Sequence, residues 1–168
     1  MIRYLILDAS SDPRRVAAAR AAGARVESLF RRARPELEAA SPFLVEVATS
    51  PVLSALVLSR RGPTHAGIIL DTPAHFDALR GHLRRYLRVE RERGGRIVFL
   101  RFYDPRVLCA LLPAFRPDEA VRFSGPIVAW HAEDGEGGVI TFRVSSRGIR
   151  ASRSVIGDFR RVERERAA

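Results

Sequence analysis

At 168 residues and 46% hydrophobic content, the chain is long enough to close one core without staples, and its single cysteine rules out an internal disulfide. All 29 lysine-or-arginine positions are arginine, set against 19 acidic residues for a net charge of +10. The absence of lysine excludes a Walker A phosphate grip and Schiff-base chemistry. Asparagine and glutamine are missing too, and alanine is abundant, so a GC-rich coding bias accounts for the charge as well as selection for a polyanion does.

Arg3 to Leu7 reads as a first strand ending in Asp8. Ser11-Asp12-Pro13 then caps a helix running to about Ala22, and Gly23 stops it. Ala24 to Phe30 is a second strand, Arg31 to Ala40 a short polar helix or loop, and Phe43 to Val47 a third strand. Ser50-Pro51 opens a helix over Val52, Leu53, Leu56 and Val57, which Arg60-Arg61-Gly62-Pro63 ends. His65 to Leu70 is another strand, closed by Asp71. Thr72-Pro73 opens a helix with Phe76, Leu79, Leu83, Tyr86 and Leu87 on its core face.

Glu90 to Gly95 is a polar turn leading into Ile97-Val98-Phe99-Leu100, which is apolar on both alternating faces and so is expected to be a central strand covered on two sides. Asp104-Pro105 supplies an N-cap carboxylate and a first-turn proline for the next helix. Pro113 and Pro117 interrupt the path beyond it. Ile127 to Val144 reads as a hairpin turning at Asp134 to Gly138. The expected architecture is a single α/β domain over residues 1–150, a mixed sheet with helices between strands and a C-terminal antiparallel hairpin. A charged tail follows over 151–168. Met1 to Tyr4 shows no signal-peptide regions and no apolar run reaches membrane-spanning length, so a soluble protein of a reducing, intracellular compartment is expected.

Arg101 stands out as a permanent charge in an apolar run, and a buried arginine needs a partner; Asp8 or Asp104 would serve. Asp8, Asp71 and Asp104 each end a predicted strand. A convergent set of carboxylates there would hold a divalent metal for hydrolysis, but capping duty explains Asp71 and Asp104 more simply. His65, His75, His82 and His131 lack metal-ligand spacing, and His75 and His82 fall on one helix face that reads as solvated. No nucleophile elbow accompanies the serines, and Cys109, set between Leu108 and Ala110, reads as a small hydrophobe. No catalytic residue, metal or cofactor is expected.

Arg80, Arg84, Arg88 and Arg91 step by four, four and three along the helix from Pro73, with Arg85 beside them. This face is either simply solvated or a binding surface, for a protein in preference to a nucleic acid because no aromatics are interleaved. Trp130 is either a core tryptophan or an interface anchor.

Arg101-Phe102-Tyr103-Asp104-Pro105-Arg106-Val107-Leu108 resembles the signature of the type VI secretion effector-adaptor (chaperone) family, long labelled a domain of unknown function. Tyr4 to Asp8 looks like that family's opening strand, Ser41-Pro42-Phe43-Leu44-Val45 like its Pro-aromatic-Leu-Val segment, and Gly125-Pro126-Ile127-Val128-Ala129-Trp130 like its closing strand. His82-Leu83-Arg84-Arg85 matches the helix before the signature. Ser41 stands where glycine is common, and little chain remains after Trp130 for the helical second lobe the family often carries. The resemblance implies a bacterial cytoplasmic adaptor without catalysis, which binds the N-terminal part of a toxin effector and helps load it onto the VgrG spike. Arg101 to Arg106 would then be a structural lock, with Arg80, Arg84, Arg85, Arg88, Arg91 and Trp130 as partner-binding candidates. Neither nucleic acid nor membrane is an expected partner.

Overall fold

The computed structural model describes residues 1–30, 34–47, 53–58, 64–90 and 97–167. Its strands are β1 (Ile2–Asp8), β2 (Val26–Ser28), β3 (Pro42–Glu46), β4 (Gly67–Thr72), β5 (Arg88–Glu90), β6 (Ile97–Phe99), β7 (Ala129–Glu133), β8 (Gly138–Ser145) and β9 (Gly148–Val155). The helices are α1 (Pro13–Ala21), α2 (Pro35–Ala39), α3 (Phe76–Arg84), α4 (Pro105–Ala114), α5 (Pro117–Ser124) and α6 (Ile156–Ala167). The expected α/β fold is present. Seven strands form one sheet in the order β2-β3-β1-β4-β7-β8-β9.

Every pairing in that sheet is antiparallel, so it is not the mixed sheet the alternating elements suggested. Both faces of its centre are covered. Tyr4 and Ile6 of β1 join Leu70, Trp130 and Phe142 under the apolar sides of α3, α4 and α5. Leu5 and Leu7, one residue out of phase, join Val45, Ile69 and Val139 under α1, a 3₁₀ turn at Leu53–Leu56 and the start of α6. A strand can be apolar at every position only when both faces are packed, and β1 and β4 hold that place.

Ile97–Phe99 does not hold it. Among the described residues β6 pairs only with β5, Arg88 opposite Phe99, in a separate two-stranded ribbon. Ile97 is 57% exposed and Phe99 61% exposed. The seven-stranded sheet takes its central strands from β1, β4 and β7, leaving this apolar run outside.

Local capping follows the sequence at the starts of α1 and α4. Asp12 accepts the Arg14 N–H at 3.1 Å to start α1, and Asp104 accepts the Arg106 N–H at 3.0 Å to start α4. At α3 the expectation fails by three residues. The Thr72 hydroxyl accepts the Ala74 N–H at 3.0 Å and donates to the Pro126 carbonyl at 2.7 Å, so Thr72-Pro73-Ala74 forms a turn and His75 becomes the N-cap. The helix expected from Ser50-Pro51 is described only as the 3₁₀ turn, and residues 48–52 and 59–63 lie outside the described residues. β9 was not anticipated as a strand. It crosses the expected tail boundary at residue 150 and completes a β7-β8-β9 meander before α6.

Candidate functional site

The motif residues form a corner where β1 ends and α4 begins. Arg101 donates from Nη2 to Asp8 Oδ2 at 2.7 Å, linking residues 93 apart. The buried member of the pair is the carboxylate: Asp8 has a side chain 1% exposed, whereas that of Arg101 is 48% exposed. Asp8 Oδ1 also accepts from the Ser10 N–H at 3.0 Å and from its hydroxyl at 2.6 Å. The expectation of a buried arginine is thus corrected. A half-exposed guanidinium closes over a buried aspartate.

Phe102 lies at the centre of an aromatic cluster, edge-on to Tyr103, Phe123 and Trp130. Phe123 stacks on Trp130 at 5.4 Å. Pro105 takes the first turn of α4, and Arg106 clamps Asp104 through Nε at 3.0 Å and Nη2 at 2.6 Å. Burial works against the Asp104 charge, but hydrogen bonds from the Arg106 side chain and backbone outweigh it and hold the carboxyl below its usual range. Each motif residue therefore has a structural task. Arg101→Ala is expected to destabilise the fold by about 2 kcal/mol, below the range for breaking a fully buried pair because the arginine is half solvated and Ser10 still serves Asp8. Urea unfolding measures this, and an unchanged midpoint would remove the lock.

The three aspartates do not converge. β1 and β4 are antiparallel with Arg3 opposite Asp71, so Asp8 and Asp71 sit at opposite ends of the pair, about 17 Å apart by strand rise. A hydrolase site built from Asp8, Asp71 and Asp104 does not exist in this geometry. Among the described residues no group of three His, Cys, Asp or Glu side chains is placed to hold a metal ion.

Asp71 is not a cap either. It accepts Arg3 Nε at 2.7 Å and Nη2 at 2.8 Å, and its Oδ2 lies 3.2 Å from His131 Nε2. His131 Nδ1 in turn lies 2.9 Å from Thr141 Oγ1, and the Phe159 ring covers the imidazole edge-on at 5.0 Å. The hydroxyl–imidazole–carboxylate order is that of a hydrolytic triad. Here all three side chains are buried, and the chain of bonds ties β4, β7 and β8 together. Residue spacing gave no sign of it, because the strand register alone brings these positions together.

This buried network carries a pH dependence. Burial lowers the His131 pKa despite the bond to Asp71, and burial likewise lowers that of His82. An imidazole depressed in the fold is protonated first in the unfolded chain. Stability is therefore full above about pH 6.5 and falls as the pH drops below it. Burial opposes the Asp71 charge, but bonds from His131 and Arg3 win and depress that carboxyl, so a further loss is expected below about pH 4. Denaturation midpoints from pH 8 to 2 test this, and His131→Gln should flatten the slope between pH 7 and 5. An unchanged slope in that variant would assign the dependence elsewhere.

The arginine stripe is broken up. α3 ends at Arg84, Arg88 belongs to β5, and Arg91 lies outside the described residues. Arg80 donates to the Ser28 carbonyl through Nε at 3.0 Å and Nη2 at 2.8 Å, and also pairs with Glu27 at 2.8 Å. Arg84 donates to the Leu29 and Phe30 carbonyls, each at 2.9 Å. These two arginines cover the C-terminal end of β2 and the two residues after it, and are not a bare phosphate-binding face. Arg85 Nη2 lies 3.0 Å from His82 Nδ1. His82 is buried, its Nε2 2.8 Å from the Phe123 carbonyl, which corrects the solvated reading of that face. Trp130 is fully buried, with Nε1 donating to Ser124 Oγ at 3.0 Å, so it offers no surface to a partner. Cys109 is half-buried and its thiol is pushed up to about 11 by burial, in keeping with a packing role.

Between α3 and β2 lies an open groove of about 430 Å³, lined by Arg20, Glu27, Phe30, Glu38, Arg80 and Arg84 among others. Phe30 also packs on the exposed Phe99 of the ribbon, ring centroids 5.5 Å apart. Groove and ribbon are the surface features that sequence reasoning missed. Apolarity on both faces points Ile97–Leu100 to the core, and four-residue spacing points the arginines to one helix face.

The fold is thus a three-layer α/β domain on an antiparallel sheet, with an Arg-aromatic-Asp-Pro corner locking its first strand to its fourth helix. The chain belongs to the DUF4123 family, a domain of unknown function, whose model matches residues 3–122, from β1 into α5 and across the whole corner. Neither curated proteins nor solved structures give a match. Among the described residues, no helix is long and apolar enough to cross a membrane.

Proposed function

We propose that this chain is a non-catalytic adaptor of type VI secretion, which binds a toxin effector through its N-terminal region and helps load it onto the VgrG spike in the bacterial cytoplasm. The observation that carries this reading is the family membership over residues 3–122, with its motif residues forming one coherent corner. The polar side chains grouped in the fold support it. Those at the corner and along Asp71–His131–Thr141 are committed to one another, which suits a protein that works by its surface. The test is co-expression with the toxin encoded beside it and with VgrG. A stable complex with the toxin that also brings down the spike is expected, and binding to neither would refute the adaptor role.

A further inference from the structure

The ribbon of β5 and β6 presents apolar side chains to solvent on a chain with ample core elsewhere. Alternation places Ile97 and Phe99 on one face, with Val98 on the other. Phe99 is 61% exposed, Ile97 57% and Val98 37%. Consecutive large apolar residues left in water mark an interaction surface more often than isolated ones do. Arg88, exposed and directly opposite Phe99 in the ribbon, adds a cation to the same face.

The second half of the surface is the groove. Its lining holds three arginines, Arg20, Arg80 and Arg84, against two glutamates, Glu27 and Glu38. Arg20 is exposed and, among the described residues, its guanidinium has no carboxylate partner and lies over the Phe43 ring at 5.3 Å. Phe30 joins the two halves, since it lines the groove and packs on Phe99. The carbonyls of Leu29 and Phe30 are held by Arg84, which fixes this junction in place.

We propose that the ribbon face of Ile97 and Phe99 and the arginine-lined groove, joined at Phe30, form one docking surface for a segment of the toxin cargo in which apolar side chains adjoin acidic ones. This rests on the adaptor reading above. The apolar half buries the cargo's apolar side chains, and Arg88 and Arg20 receive its carboxylates. A second copy of the chain is the poorer occupant. Each molecule carries a net charge of +10, and self-association here would bring arginine-rimmed faces together.

A photo-crosslinking amino acid placed at Phe99 tests this in the complex with the full-length neighbouring toxin. The expected adduct maps to a toxin segment containing Asp or Glu beside apolar residues. Ile97→Asp combined with Phe99→Asp should weaken toxin binding about tenfold or more while circular dichroism stays unchanged and melting falls only slightly, since both side chains are largely exposed and Phe99 gives up only its contact with Phe30. Arg20→Glu should weaken binding and reduce its salt dependence. An adduct with a second copy of the chain, or full toxin affinity in the double-aspartate variant, would overturn the assignment of this surface while leaving the adaptor role standing. Failure of the unmodified chain to bind the toxin at all would instead defeat the adaptor reading itself.

Discussion

Gly67→Ala is expected to abolish the folded state or to destabilise it by about 4 kcal/mol or more. Gly67 begins β4 opposite Leu7 of β1 with φ of +150°, and a Cβ there would sit 1.9 Å from the Ile6 carbonyl oxygen. The next nearest atoms, the Ile6 carbonyl carbon at 2.9 Å and Leu7 Cα at 3.1 Å, are backbone as well. No rotamer change relieves such a contact. The only escape is to part β1 from β4, at the centre of the sheet, where Leu5, Ile6, Ile68 and Ile69 are all fully buried. Two other glycines calibrate the effect. At Gly125, with φ of +53°, the obstacle is the His82 ring, a side chain that moves at the cost of its bond to Phe123. At Gly137, with φ of +83°, nothing lies within 4 Å, so alanine should cost about 1 kcal/mol from backbone strain alone. Soluble yield and urea midpoints for the three variants should rank in that order. A Gly67→Ala protein as stable as Gly137→Ala would show that β1 and β4 do not approach this closely.

Trp130→Ala should cost about 3–5 kcal/mol, a large share of a domain's usual stability. Its ring is fully buried, stacked on Phe123 at 5.4 Å and edge-on to Phe102 at 6.2 Å. Removing it opens a cavity between β7, α5 and the motif corner and leaves Ser124 Oγ without its indole donor. Trp130→Phe keeps much of the volume and should lose appreciably less, mainly the hydrogen bond and some packing. As this is the only tryptophan, unfolding has to be followed by circular dichroism. A loss below about 1 kcal/mol would show that the cluster is loosely packed.

Much of the local structure was readable in the sequence, because its signals are local. Asp12-Pro13 and Asp104-Pro105 cap and start their helices as written, Gly23 follows the end of α1, and the turn at Asp134 to Gly138 makes its hairpin. What failed needed knowledge of distant partners. An apolar run such as Ile97–Phe99 states that it suits burial, but competition among all the strands decides which ones are covered. The alternation of strands and helices suggests a mixed sheet, and only the register shows that each strand returns antiparallel to its neighbour. That difference undid the aspartate cluster, since it sends Asp8 and Asp71 to opposite ends. Arg80 and Arg84 were correctly spaced on one helix face, but their targets are backbone carbonyls some 50 positions earlier, which carry no side-chain signature.

Those two arginines also determine how this protein can go wrong. With guanidinium groups seated on the carbonyls of Ser28, Leu29 and Phe30, the β2 border offers little to an incoming strand, whereas β9 ends the other border. Among the described residues, stray pairing through the seven-stranded sheet therefore has one receptive border per copy. Two copies joined β9 to β9 use up both, so pairing through this sheet stops at a symmetric pair.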